Sequence, residues 1–300
     1  PCHRPPRPLT PAAMSASSPA RLSDLEPRYD VLLCDVWGVI HNGRESFPEA
    51  CAALTRFRET GKPVVLISNA PRPAYDVHPQ LDGLKVPRSA WSTLVTSGDA
   101  TRRLLKDRAP GPVHAIGPER DFPLYEGLGL EFAGPDEAAF LSVTGPVDDT
   151  VETPEDYRAL FERLAPRKLE LICANPDRVV QRGAQLIYCG GALADVYEAL
   201  GGPVLMAGKP YKPIYDLALE EAERLLGRPV DRARVLCVGD GLPTDVKGAN
   251  AQGLDVLFTA GGIHRAEVID AEGRFDAGKT ARVLADAGLT AAWSALDLEW

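Results

Sequence analysis

A short apolar run that ends in a single carboxylate constrains the fold of this chain more than any other stretch. The run Val31–Cys34 has the length and continuous hydrophobicity of a strand buried on both faces, and Asp35 follows it directly, before a glycine-containing loop. In open α/β sheets, reactive groups lie at the carboxyl ends of such strands. We therefore predict a parallel α/β sheet in which Asp35 is the candidate nucleophile.

Three later motifs place polar side chains just after or beside apolar runs. They are Ser68-Asn69 after Val64–Ile67, Lys209 between Gly208 and Pro210, and Asp240 with Asp245 after Val235–Val238. A right-handed crossover brings the carboxyl ends of consecutive parallel strands to one edge, so Asp35 and Ser68 are expected to converge. An aspartate, a hydroxyl, a lysine and paired carboxylates are the groups that phosphoryl transfer requires.

The order and context of these motifs resemble the haloacid dehalogenase superfamily. The element Asn175-Pro176-Asp177 resembles class IIA of that superfamily, the sugar-phosphate and pyridoxal-phosphate phosphatases, and the resemblance covers roughly residues 28 to 265. It implies a Rossmann-like parallel-sheet core carrying an inserted cap domain. It also implies a Mg²⁺-dependent phosphatase that forms an aspartyl-phosphate.

The sequence between the second and third motifs fits such an insertion. A Pro/Gly-rich stretch, Ala109–Pro112, is followed by about a hundred residues in which strand and helix patterns alternate. We predict a disordered leader over residues 1–21, a core domain over 22–109 and 204–300, and an α/β cap over 110–203.

The resemblance also assigns roles to individual residues. Asp35, Asp240 and the main-chain carbonyl of Trp37 would hold Mg²⁺, with Asp245 orienting a metal-bound water or Lys209. Ser68 and the amide of Asn69 would bind phosphoryl oxygens, and Lys209 would keep Asp35 ionised. In the cap, Asn175, Arg178 and Arg182 are candidates for substrate binding. Helix capping is the alternative for the two late aspartates, and solvated surface charge is the alternative for the lysine and both arginines.

One position departs from the family pattern. Phosphatases of this superfamily usually carry a second aspartate two residues after the nucleophile as general acid and base, and here that residue is Trp37. Losing that acid leaves two alternatives open: a catalytically weak phospho-ligand-binding protein, or a dehalogenase-like hydrolase of a non-phosphate bond. The paired carboxylates favour phosphate chemistry, and His41 is the candidate replacement acid.

Charge and cysteine usage limit the partners and the compartment. A net charge of −9, with no run of clustered Lys and Arg, argues against nucleic-acid binding. Six cysteines without a Cys-x-x-Cys pair, no membrane-length apolar run and no signal-peptide pattern predict a cytoplasmic protein. The expected partner is a small phosphorylated metabolite, and the resemblance suggests a homodimer.

Overall fold

The computed structural model describes residues 19–182 and 185–300. Its strands form a parallel six-stranded sheet, a parallel four-stranded sheet and an antiparallel hairpin, which confirms the predicted α/β class. The strands are β1 (Val31–Asp35), β2 (Val64–Ser68), β3 (Thr93–Thr96), β4 (Val113–Ile116), β5 (Phe140–Val143), β6 (Leu171–Cys173), β7 (Val179–Arg182), β8 (Gln185–Tyr188), β9 (Val204–Met206), β10 (Val235–Gly239), β11 (Asp255–Thr259) and β12 (Trp293–Ala295).

Helices connect most of these strands. They are α1 (Leu22–Leu25), α2 (Pro48–Glu59), α3 (Ala74–Gly83), α4 (Ser97–Lys106), α5 (Arg158–Leu164), α6 (Gly190–Ala199), α7 (Lys212–Leu226), α8 (Lys247–Gln252), α9 (Arg265–Val268) and α10 (Ala277–Asp286). A single π-helical turn, Leu242–Val246, leads into α8. The elements of the six-stranded sheet thus alternate with helices, as parallel connections require.

Strand β1 lies inside the six-stranded sheet, whose order is β12-β11-β10-β1-β2-β3. Every residue of β1 is buried, and successive side chains enter different cores. Leu32 and Cys34 pack on one face of the sheet, with α2 and α3, whereas Val31 and Leu33 pack on the other, with α7 and α8. Burial on both faces explains why this strand is continuously apolar rather than alternating.

The four-stranded sheet, in the order β4-β5-β6-β9, is built from the segment between Val113 and Met206. One of its faces packs against α5 and α6 through Phe161 and Leu193, and the other packs against Leu105 of α4. Strand β9 falls within the predicted core, yet it pairs with β6 in this sheet. The four-stranded sheet thus extends to Met206, beyond the predicted boundary between residues 203 and 204. A three-residue apolar strand fits either sheet equally well by sequence.

The described N-terminal residues pair with the C-terminal end of the chain. The amide of Ala20 donates to the carbonyl of Ser294 at 2.9 Å, and the amide of Leu22 donates to that of Glu299 at 2.8 Å. Of the predicted leader, residues 1–18 lie outside the described residues. Residues 19–21 adjoin the six-stranded sheet through the Ala20 contact.

Candidate active site

The carboxyl ends of β1, β2 and β10 form one edge of the six-stranded sheet. Asp35 is the last residue of β1, Ser68 is the last of β2, and Asp240 directly follows β10. Each of the carboxylates Asp35, Asp240 and Asp245 offers an oxygen, and these oxygens lie within 4.8 Å of one another. The side chains that the motifs singled out in the core are thus brought together by parallel strand pairing.

Lys209 joins two of these carboxylates. Its ammonium donates to Oδ1 of Asp35 at 2.5 Å and to Oδ1 of Asp245 at 2.7 Å, and the lysine is only 3% exposed. Burial opposes a charged ammonium, but the carboxylates of Asp245 and Asp35 outweigh it and raise the pKa of Lys209. Solvated surface charge, the alternative considered for Lys209, is therefore wrong.

Asp35 lies in an environment dominated by negative charge. Its burial and the nearby Asp245 carboxylate raise its pKa, while the ammonium of Lys209 acts in the opposite direction. Its Oδ2 receives no hydrogen bond from any of the described residues. One oxygen is thus oriented by the lysine, and the other is available to a ligand.

Asp240 is buried against two glycines of neighbouring loops. A Cβ atom built on Gly38 would lie 2.3 Å from Oδ2 of Asp240, and one on Gly262 would lie 2.0 Å from the same oxygen. Burial, and next the charge of Asp245, raise the pKa of Asp240 to about 7. Its hydrogen-bond donor from the described part of the chain is the amide of Ile263, at a long 3.4 Å. A carboxylate so weakly satisfied suits a cation.

Asp245 has both oxygens engaged by the protein. Oδ1 accepts from Lys209, and Oδ2 accepts from the amide of Gly241 at 3.0 Å. The π-helical turn at Leu242–Val246 carries this side chain back over the end of β10. Asp245 therefore has no oxygen without a hydrogen-bond donor from the protein.

The side chain of Asn69 holds the site together instead of facing a ligand. Its Oδ1 accepts from the amide of Lys209 at 2.7 Å, and its Nδ2 donates to the carbonyl of Lys209 at 3.1 Å and to Oδ1 of Asp177 at 2.8 Å. The side-chain amide is therefore engaged by the protein, and the main-chain N–H of Asn69 is the group left as a candidate for phosphate binding. The neighbouring Ser68 lines the same cavity, and its Oγ accepts from the amide of Ala70.

Two of the candidates from the four-stranded segment have other partners. Arg178 donates through Nε and Nη2 to both carboxylate oxygens of Asp195, and through Nη1 to the carbonyl of Pro176. Asn175 accepts the amide of Asp177 on Oδ1, an Asx turn that shapes the loop. Both residues line the cavity, but neither offers a free charge, and the side chain of Arg182 lies outside the described residues.

A cavity of about 620 Å³ opens over the carboxylates, between the two sheets. Trp37 and His41 line it from the six-stranded side, and Val179, Val180 and Leu186 of the β7–β8 hairpin line it from the other. His41 accepts the amide of Gly43 on Nδ1, and burial lowers its pKa to about 4. His41 is therefore neutral near pH 7 and poorly suited to the acid role predicted for it.

Three features of this site were not predicted from sequence. The β7–β8 hairpin is signalled only by short runs on either side of Gly183, and Asp195 lies in an ordinary helical pattern. Asp177 belongs to the Asn175-Pro176-Asp177 element, but the sequence assigns it no role of its own. Each depends on contacts between segments distant in sequence. Local patterns do not carry that information.

Comparison with known proteins gives consistent matches along the chain. A family model described as haloacid dehalogenase-like hydrolase matches residues 32–131, and one described as HAD-hydrolase-like matches residues 206–287. Mouse chronophin is 30% identical over 268 residues, which are 83% of this chain and 86% of chronophin. Chicken glycerol-3-phosphate phosphatase is 28% identical, over 80% of this chain and 82% of its own length.

A solved structure extends the comparison to the fold. A hydrolase of the haloacid dehalogenase-like family from Brucella suis superimposes with a TM-score of 0.81 and 47% identity, covering 94% of this chain and all of that one. These matches span both sheets and every core motif described above. The chain belongs to the haloacid dehalogenase superfamily of hydrolases, among the class IIA phosphatases.

Proposed function

We propose that this protein hydrolyses small phosphate monoesters with Mg²⁺, by transferring the phosphoryl group to Asp35. The observation that carries the proposal is the buried contact of Lys209 with Asp35 and Asp245, which holds Oδ1 of Asp35 and leaves its Oδ2 without a hydrogen bond from the described residues. Asp35 also lines the cavity. A carboxylate oriented this way is suited to attack phosphorus in line. The phosphatase relatives support the same reaction class.

The carboxylate cluster fits a Mg²⁺ ion. Hard oxygen ligands are what this cation prefers, and Asp35 and Asp240 each have an oxygen with little or no hydrogen bonding from the described residues. Gly38 and Gly262 leave room around Oδ2 of Asp240 that any Cβ would fill. Asp35, Asp240 and the main-chain carbonyl of Trp37 would hold the ion, which supplies neutralisation of phosphoryl charge when bound.

The protein's own groups account for the rest of the transfer. The main-chain N–H of Asn69 and the hydroxyl of Ser68 would bind phosphoryl oxygens, and Lys209 would balance the charge of Asp35 as the O–P bond forms. The ester oxygen leaves with the electron pair of the broken P–O bond. Water then attacks the aspartyl-phosphate, releasing inorganic phosphate and restoring Asp35.

The four-stranded segment would act as the cap of this site. The hairpin side chains Val179, Val180 and Leu186 face the cavity, so they would contact the part of the substrate beyond the phosphate. Arg178 would position the loop through Asp195 rather than bind substrate. The predicted homodimer belongs to the same proposal, and light scattering of the purified protein tests it.

The proposed compartment is the cytoplasm. Every cysteine in the described residues is a buried free thiol: Cys34, Cys51, Cys173, Cys189 and Cys237. Free thiols persist where the environment is reducing. No helix in residues 19–182 or 185–300 is long and apolar enough to cross a membrane.

The test is turnover of a panel of metabolite phosphates and p-nitrophenyl phosphate, with and without Mg²⁺. Parent protein should show Mg²⁺-dependent turnover, Asp35→Asn should abolish it, and rapid quench with labelled substrate should trap phosphate on Asp35. Asp30→Asn is the matched control, because Asp30 precedes the same strand at its opposite end and pairs with Arg228 and Arg234.

The outcomes distinguish a phosphatase from the two alternatives suggested by Trp37 at the usual position of the acid. Substrate binding without turnover would favour a phospho-ligand-binding protein, and halide release from haloacids would favour a dehalogenase. Substantial Mg²⁺-dependent turnover by Asp35→Asn would contradict the proposed nucleophile.

A further inference from the structure

The leaving oxygen of an alkyl phosphate needs a proton, and the usual donor position is occupied by Trp37. An indole cannot supply that proton at neutral pH. Ionisable side chains that line the cavity, among the described residues, are Asp35, His41, Asp177, Arg178, Lys209, Asp240 and Asp245. The donor should be found in this set, because general acid catalysis requires hydrogen-bonding reach of the leaving atom.

Four members of the set already have another role in the proposed site. Asp35, Asp245 and Lys209 form one ion-paired cluster, and Asp240 lies in the proposed cation site. Two of the remaining three cannot act as acids. Arg178 is held by Asp195, and a guanidinium keeps its protons in proteins. His41 accepts a hydrogen bond on Nδ1 and is neutral, and the remaining N–H of a neutral imidazole is not acidic enough.

Asp177 is the member that remains. It lies between the two sheets in the Asn175-Pro176-Asp177 loop, and its carboxyl group is fixed by the amide of Asn69 at 2.8 Å. Its main chain is fixed as well, because its amide donates to Asn175 and its carbonyl accepts from the amide of Gly191. Oδ2 of Asp177 receives no hydrogen bond within the described part of the chain.

A short hydrogen-bonded path links this carboxyl group to the proposed nucleophile. Asp177 contacts Asn69, Asn69 contacts the main chain of Lys209, and the ammonium of Lys209 contacts Asp35. Both groups line the same cavity, Asp35 from the end of β1 in the six-stranded sheet and Asp177 from the loop that follows β6 in the four-stranded sheet. A phosphate ester bound between them would have its leaving group toward the loop that carries Asp177.

We propose that Asp177 is the general acid that protonates the leaving oxygen, in place of the aspartate that Trp37 replaces. The inference rests on the proposed phosphatase function. In the first step Asp35 forms its O–P bond, the ester P–O bond breaks with its electron pair going to oxygen, and the proton of Asp177 passes to that oxygen. In the second step the Asp177 carboxylate takes a proton from the water that attacks the aspartyl-phosphate, which restores both carboxyl groups.

The electrostatics of the loop support a proton on this side chain. Burial raises the pKa of Asp177, and the charge of Asp245 adds to that effect. The Asn69 amide, Lys209 and Arg178 act in the opposite direction but do not cancel the rise. The nearby thiols Cys173 and Cys189 have raised pKa values themselves and stay neutral.

The decisive variant is Asp177→Asn, which keeps an oxygen to accept from Asn69 but has no acidic proton. We expect kcat/KM for alkyl phosphates such as glycerol phosphate to fall by roughly 10²- to 10⁴-fold, and that for p-nitrophenyl phosphate to fall less than about tenfold, because nitrophenolate needs no proton to leave. The slope of log kcat/KM against leaving-group pKa should be shallow in the parent and steep in the variant.

Asp121→Asn is the matched control. Asp121 is also a buried carboxyl with a raised pKa, but it lines a neighbouring cavity of about 380 Å³ and is not among the residues that line the active-site cavity. The Asp121→Asn variant should keep the parent's shallow slope of log kcat/KM against leaving-group pKa. An equal loss on aryl and alkyl substrates in Asp177→Asn, or no loss, would overturn the proposal.

The parent alone provides a second test if Asp177→Asn does not fold. A steep slope in the parent means that no acid acts, which rejects the role of Asp177 without any variant. A parent inactive on every phosphate with Mg²⁺ would instead reject the proposed function itself. The two failures are therefore distinguishable.

Discussion

The side-chain amide of Asn69 donates to Oδ1 of Asp177 across 108 positions of sequence. Asn69 follows β2 of the six-stranded sheet, and Asp177 follows β6 of the four-stranded sheet. The same amide group also contacts both main-chain polar atoms of Lys209. One side chain therefore sets the position of the loop above the cavity relative to the lysine below it.

Replacing Asn69 by Ala should weaken both the fold and the activity. Three polar groups lose their partner, and each buried unsatisfied group costs about 1–3 kcal/mol when it is not rehydrated. We expect kcat/KM to fall more than tenfold, measured beside the free energy of unfolding in urea. The control is Asn250→Ala, because Asn250 also bridges two main-chain atoms of one residue, Thr290, but lies in α8. A similar loss of activity in both variants would contradict the positioning role.

Gly38→Ala should remove Asp240 from its position. The new Cβ would meet Oδ2 of Asp240 at 2.3 Å, and Gly38 has a φ of 88°. Gly61 is a closely matched control, because its φ is 86° and a Cβ there meets nothing within 4 Å. Both variants should lose about 1–2 kcal/mol of stability from backbone strain. Only Gly38→Ala should also lose Mg²⁺-dependent turnover, and equal turnover in the two would reject this reading of the site.

Asp240→Asn should weaken Mg²⁺ binding more than Asp245→Asn does. Asp240 is the proposed ligand, whereas both oxygens of Asp245 are engaged by Lys209 and Gly241. Loss of a residue that orients ligands usually costs about 10- to 100-fold in metal affinity, and loss of a ligand should exceed that. Isothermal titration with Mg²⁺ alone measures both. Equal affinities would refute the ranking.

His41 should make the protein less stable in mild acid. The unfolded histidine titrates near 6.5 and the buried one near 4, so between these values the unfolded state binds more protons. Stability is therefore retained above pH 6.5 and falls as the pH drops toward 4, by on the order of 3 kcal/mol from this group. His41→Asn, which keeps an acceptor near the position of Nδ1, should show a smaller fall in urea unfolding across that range. An unchanged fall would assign the acid sensitivity to other groups.

The core of the fold could be predicted from sequence because its strands are buried on both faces. Continuous apolar runs mark β1, β2 and β10, and the crossover rule then places Asp35, Ser68 and Asp240 at one edge. The sheet to which β9 belongs could not be predicted in this way. Its three residues carry no signal that distinguishes pairing with β6 from pairing in the larger sheet.

The substrate side of the site was harder to predict than the catalytic side. A charged residue beside a motif, such as Arg178, has the same local sequence whether it binds substrate or forms an ion pair with Asp195. The choice depends on which helix face lies opposite, which is a property of tertiary packing. The proposed role of Asp177 could not be predicted from sequence either, because it depends on the contact with Asn69, which is distant in sequence.

The path of the chain from β9 to Lys209 limits how this enzyme can be redesigned. Only Ala207 and Gly208 separate the edge strand of the four-stranded sheet from the lysine that pairs with Asp35, and a Cβ on Gly208 would strike Asn69 and Pro176. A four-stranded segment taken from another protein must therefore end its last strand within a few ångströms of the position where β9 ends here. A chimera whose junction lies after Lys209 would replace the segment that positions this lysine together with the four-stranded segment. A junction that retains residues 204–212 would keep Lys209 in its contact with Asp35.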